Sequence, residues 1–144
     1  MSIFTGLNIN ASGLALERLK LDTISTNIAN VNTHQTVDGD AYQRKTIDFS
    51  ESLKQFQPSN AIDQPNRRSF GVKVNGIRQD ETVVTSYDPT NPAADEEGYV
   101  VMSNVNTADE MIDMIQALRT YEANASSLEA NKLILKKALE ISKD

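Results

Sequence analysis

The chain has 144 residues, no cysteine, a single histidine and a net charge of -6, with its lysines and arginines dispersed instead of gathered in a stripe. That length suits one domain, or one small domain plus extended helices, and an acidic chain without a basic patch is a poor match for DNA or RNA. Disulfides, thiol catalysis and cysteine-based zinc sites are excluded, His34 alone cannot build a histidine site, and no apolar run approaches the ~20 residues that span a bilayer.

After a short lead over residues 1–5, Leu7, Leu14, Leu21 and Ile28 stand seven apart, with Ala11 and Ile24 between them. This is a coiled-coil stripe, and it predicts a helix to about Ala29. Asn27, Asn30 and Asn32 cluster at its end. They read first as a helix stop, because asparagine tolerates the left-handed conformation that closes helices; a sharper reading makes their amides hydrogen-bonding groups inside a packed helix assembly. Residues 34–40, with Asp38-Gly39-Asp40, read as a polar turn.

Residues 42–49 predict a strand, and 50–56 a frayed helical turn. Pro58, Pro65, Asn60 and Asn66 make 57–69 a loose insert. Residues 70–78 alternate as a strand, with a slip at Asn75-Gly76 that suggests a bulge, and 82–87 form another β-branched run. A turn over 79–81 would join those two as a hairpin. Pro89 and Pro92 stiffen a surface turn that continues through Asp95, Glu96 and Glu97 to Gly98, before a short strand over 99–102.

The last third, 106–141, carries Met111, Met114, Leu118, Tyr121, Ala125, Leu128, Leu135 and Leu139 at alternating steps of three and four, except where Lys132 takes one slot. Neither Gly nor Pro interrupts it. Thr107 and Glu110 suggest a capping box, acids crowd the start, and Lys132, Lys136, Lys137 and Lys143 crowd the end. At ~1.5 Å per residue this is a rod of roughly 50 Å, too long for a small domain to cover, and only the N-terminal helix is available to pair with it. The expected fold is α+β: long N- and C-terminal helices (1–33 and 104–144) pair as an antiparallel coiled coil around a central β-rich module (34–103) of three to four short strands. The assembly seam would comprise Leu7, Leu14, Leu21, Ile24 and Ile28 on one helix, and Met111, Met114, Leu118, Tyr121, Leu128 and Leu135 on the other.

No active site assembles from the residues. The acidic run at 95–97 reads as a solvated loop, Asp38-Gly39-Asp40 lacks the ligand ladder of a calcium loop, and His34 reads as solvent-exposed with no nucleophile nearby. No Gly-rich phosphate cradle occurs. The expectation is a non-enzyme with no cofactor and no metal. The N-terminus also lacks the basic and apolar regions of a Sec signal peptide.

Three segments resemble one family. ISTNIANVNT (24–33) is similar to the S-x-N-[IL]-A-N-x-[ND]-T signature of bacterial flagellar axial proteins. Asn104-Val105, the Glu110-Met111-Ile112 triplet and RTYEAN (119–124, with Tyr121 and Asn124) resemble the C-terminal signature of rod proteins. YDPTNPAADEEGYVVM (87–102) is similar to the Y-x-P-x-[ND]-P-x-A-[DN]-x-x-G-Y-V stretch of the FlgC family, through Tyr87, Pro89, Pro92, Asp95, Gly98 and Tyr99. Ser103 departs from a proline common in that family. The resemblance implies a structural subunit of the proximal rod, the part of the drive shaft that transmits torque from motor to hook. It further implies export through the flagellar type III apparatus without a cleaved signal peptide, a place in the basal body outside the cytoplasmic membrane, and partners among other rod proteins and copies of itself. The rivals are a soluble coiled-coil adaptor or chaperone-like protein using the same seams, and another flagellar axial subunit.

Overall fold

A computed structural model describes residues 3–37, 39–56 and 66–141. In chain order the elements are α1 (Ile3–Ala29), β1 (Lys45–Phe56), β2 (Asn66–Gln79), β3 (Val84–Tyr87), β4 (Tyr99–Met102) and α2 (Thr107–Ile141). This is the expected α+β arrangement, with a long helix at each end and a small set of short strands between.

The strand pairing departs from expectation. β1 pairs with β2, while β3 pairs antiparallel with β4, Val84 opposite Met102 and Tyr87 opposite Tyr99. The anticipated β2–β3 hairpin is therefore absent: alternation marks a run as a strand but does not name its neighbour. Residues 50–56 belong to β1 and not to a helical turn. Glu51, Lys54 and Gln55 favour helix in isolation, but ladder bonds to β2 outweigh that weak preference. Residues 66–69 of the expected insert open β2; residues 57–65, Asp38 of the polar turn and Lys143 lie outside the described residues.

Both helix ends are closed by asparagine. At the end of α1 the Asn30 amide NH reaches Thr26 O and Asn27 O at 3.2 and 3.1 Å, its side-chain Nδ2 donates to Thr26 O at 2.9 Å, and its Oδ1 accepts from the Thr33 hydroxyl at 3.2 Å. At the start of α2, Asn106 Oδ1 accepts the Ala108 NH at 2.9 Å and its carbonyl accepts the Glu110 NH at 3.0 Å. Asn106 is thus the N-cap, and the expected Thr107–Glu110 box does not form. The Glu110 carboxylate is committed elsewhere.

The chain divides into two compact units, one made of Met1–Leu19, Asp48–Gly76 and Ala117–Asp144, the other of Lys20–Ile47 and Ile77–Gln116. In the first unit α1 and α2 lie antiparallel. A Cβ added to Gly6 would stand 3.5 Å from Asn131 Nδ2, and one added to Gly13 would stand 2.9 Å from Asn124 Nδ2. Between these points Asn10 Nδ2 donates to Ser127 Oγ at 3.0 Å. Glycine facing amide, with no Cβ between, is what lets the backbones approach. β2 meets α1 by a similar device. Gly71 takes a φ of +102°, and a Cβ there would fall 2.1 Å from Ser12 Oγ. The Ser12 hydroxyl instead accepts the Val72 NH at 3.1 Å and donates to Ile9 O at 2.7 Å. The irregular backbone of β2 is therefore at Gly71, where α1 presses on it, and positive φ is not found at Gly76.

The second unit has a mixed core. Ile24, Tyr42, Val100 and Val105 are buried together with the polar Thr23, Asn27, Ser103 and Glu110.

Candidate assembly site

Buried polar groups must find partners, and in the second unit they find each other. Asn27 is 1% exposed and its amide uses its full capacity. Nδ2 donates to Lys45 O at 2.9 Å and to Glu110 Oε2 at 3.0 Å. Oδ1 accepts from the Tyr42 hydroxyl at 2.9 Å and the Lys45 NH at 3.0 Å. The two bonds to Lys45 make Asn27 a surrogate strand residue against the opening of β1. Glu110, fully buried, is matched by Arg44, whose Nε donates to Oε1 at 2.5 Å while its NH2 group reaches Asp113 Oδ2 at 2.9 Å. A charge this deep is tolerated only when paired and hydrogen-bonded, and Glu110 is both.

The electrostatics follow. Arg44 holds its proton more firmly than usual, first through the hydrogen bond it donates to Glu110 and then through the negative charge of both carboxylates. Burial pushes the Tyr42 phenol up, and the Glu110 charge adds to it. Ion pair and amide together pin α1, the start of β1 and the first turns of α2 at one point. The helix-stop reading suits Asn30. For Asn27 the sharper reading is the observed one, an amide bonded inside packed helices. Asn32 is exposed.

Asn104 provides a second clasp. Its Oδ1 accepts the Arg44 NH at 2.6 Å, and its Nδ2 donates to Asp80 O at 2.8 Å and Thr82 O at 3.1 Å. It holds β1 to the turn before β3. Val105 beside it is buried. Ser103 is buried too, its hydroxyl accepting the Val105 NH at 3.4 Å.

Residues 87–99 form a loop held by its own side chains. Asp88 Oδ1 accepts the Thr90 NH and hydroxyl at 3.2 and 2.7 Å, and Asn91 Oδ1 accepts the Ala93 NH at 3.1 Å. Asp95 Oδ1 accepts the Glu97 and Tyr99 amides at 3.0 and 2.7 Å. These successive Asx turns sit on a base made by Tyr87 and Tyr99, whose rings meet edge to face at 5.4 Å. Gly98 has a φ of +84°, and a Cβ there would crowd Tyr87 and Pro89. The motif positions Tyr87, Pro89, Asp95, Gly98 and Tyr99 thus each have a structural task in the loop. Asp88 is held below the usual carboxylate range by its bonds to Thr90, and Asp80 likewise by Thr82.

His34 is half-buried, not solvent-exposed as expected, and its Nδ1 is enclosed with no hydrogen-bond partner among the described residues. Nor do the described residues contain a group of three or more His, Asp or Glu placed to hold a metal ion.

Of the anticipated seam, Ile24 is buried, while Leu7, Leu14, Leu21, Ile28, Met114, Leu128 and Leu135 are half-buried; Met111, Leu118 and Tyr121 are exposed. The close contacts of α1 run one residue behind the leucine row, at Gly6, Gly13 and Asn27. Asn124, the last family-motif residue, faces Gly13. The sequence does carry that signal, since Gly6 and Gly13 are seven apart, but a search for apolar side chains passes over it.

Comparison with known proteins fits this frame. Residues 7–34, which cover most of α1 and include Asn27 of the buried clamp, match the family described as flagella basal body rod protein. Residues 96–141 match the flagellar basal body rod FlgEFG protein C-terminal family. Full-length relatives include proteins called flagellar basal-body rod protein FlgC from Borreliella burgdorferi, 38% identical over 98% of both chains, and from Bacillus subtilis, 37% identical over 99% of this chain and all of the relative. Another from Aquifex aeolicus is 35% identical over 97% of each. Motifs, fold and end-to-end similarity agree, and the chain belongs to the FlgC family of flagellar basal-body rod proteins, structural subunits of the rod.

Proposed function

We propose that this subunit works in the proximal rod by polymerising through its terminal helices, 1–33 and 104–144, as an inner layer, with 34–103 turned outward or toward neighbours. The observation that carries the reading is on α2. Met111, Ile115 and Leu118 are exposed in a row at steps of four and three, with Ile112 beside them, although α2 already has α1 as a partner in the same chain. Apolar rows of this kind on a helix are covered by other chains. Contacts between unlike patches that do not close on themselves build a helical tube, and paired helices along its wall resist the bending that torque imposes.

The partners are other rod proteins and further copies of this chain. Delivery uses the flagellar type III export apparatus without cleavage of a signal peptide, which places the mature subunit in the basal body outside the cytoplasmic membrane. The subunit has no catalytic role: the carboxylates of Asp88 and Asp95 are occupied in holding their own loop. Deleting the gene and purifying basal bodies tests the proposal. The expected result is non-motile cells lacking complete rods, restored by the intact gene; motile deletion cells with complete rods would overturn it.

A further inference from the structure

The second unit contains an open groove of about 680 Å³. One wall is a face of the β3–β4 ribbon. The register sets Thr85 beside Val101 on that wall, and Val83 and Tyr99 extend it; these four are exposed, whereas Val100, which also lines the groove, is buried. The facing wall is formed by residues 34–35 and 39–43. Among the described residues, the charged ones of the lining are Asp40 and Asp95, and none is Lys or Arg. The groove is apolar with an acidic rim.

The complementary surface is on the same chain. At the end of α2, Leu133, Ile134 and Ile141 are each more than 60% exposed. Helical spacing puts Ile134, Lys137 and Ile141 on one face with Leu133 at its edge and Lys136 beyond Leu133; Lys137 meets Glu140 at 2.8 Å in an exposed pair that a stronger acidic partner can displace. Two unlike patches, both uncovered and of opposite charge, suit a head-to-tail contact that repeats in one direction. We infer that the groove of one subunit receives the last turns of α2 from a second copy, the apolar side chains lying on the ribbon face and the lysines meeting Asp40 and Asp95. The inference rests on the rod reading and names the contact through which copies meet.

Because the chain has no cysteine, engineered thiols report the contact directly. A full-length Val83→Cys chain mixed with an Ile134→Cys chain at low salt and oxidised should give a mixed disulfide dimer. Yield should exceed, several-fold, that of Val83→Cys mixed with Lys73→Cys, an exposed control outside the patch. Half-molar salt should suppress the dimer, since rim charges are screened, and Lys136→Glu with Lys137→Glu should lower the yield by about tenfold. No dimer above the control, or a yield indifferent to salt and charge reversal, overturns the inference. A chain that completes rods in cells yet gives no such dimer overturns the groove contact alone, whereas failure to enter rods strikes the reading beneath it.

Discussion

At the scale of single residues, the polar interior is the feature that orders the molecule. Asn27 serves four partners and Glu110 has none of its surface in water. Replacing Asn27 with Ala would strand the Tyr42 hydroxyl, both Lys45 backbone groups and one side of Glu110. A buried group left unsatisfied costs about 1–3 kcal/mol, and a small domain has roughly 5–15 kcal/mol in all. Chemical denaturation of Asn27→Ala should therefore show a loss of about 3 kcal/mol or more; a loss below about 0.5 kcal/mol would mean the clamp is ornamental. A second residue-scale prediction concerns pH. The Asp88 carboxyl is held low in the folded chain, so its contribution is complete above the ordinary carboxylate value and disappears as pH falls through the lowered folded value. Thr90→Val removes the hydroxyl that causes most of this. The Asp88 titration midpoint, followed by NMR, should then rise toward the ordinary value; an unmoved midpoint would show that the Thr90 hydroxyl is not the cause.

At the scale of elements, the helices and the end of α1 were readable and the partners of the strands were not. The three-and-four spacing marks both helices, and Asn30 the stop of the first, because those signals are local; for α2 the sequence points to Thr107 as the cap, where the structure has Asn106. Strand pairing depends on residues far apart, and the choice of β1 for β2 shows in no local pattern. The clamp was half legible. Asn27 stands out in its motif, but Tyr42, Arg44 and Glu110 are ordinary residues until the fold brings them together. Gly71 is the clearest case of a hidden constraint, since its reason lies on α1 at Ser12. Gly71→Ala would force a side chain into a left-handed backbone and against Ser12 Oγ. Strain of this kind costs about 1–3 kcal/mol, and hydrogen exchange of the Val72 amide should accelerate as its bond to Ser12 is lost. An unchanged exchange rate would show that the strand does not depend on this contact.

At the scale of the whole molecule, the single chain leaves apolar surface uncovered on a helix that is already paired. Ile115 is 54% exposed, so Ile115→Asp should change the stability of the isolated subunit by no more than about 0.5 kcal/mol. The same substitution should block rod completion and motility in cells that rely on this gene. A variant that is stable and fully motile would remove that row from the interface. The central claim is that the terminal helices form the inner layer of an axial tube, and electron cryomicroscopy of purified basal bodies tests it most directly. The account predicts density for α1 and α2 lining the rod interior, antiparallel within each subunit and touching neighbouring copies through the face of Met111, Ile115 and Leu118. Helices found on the outside of the rod, with that face open to solvent, would contradict it.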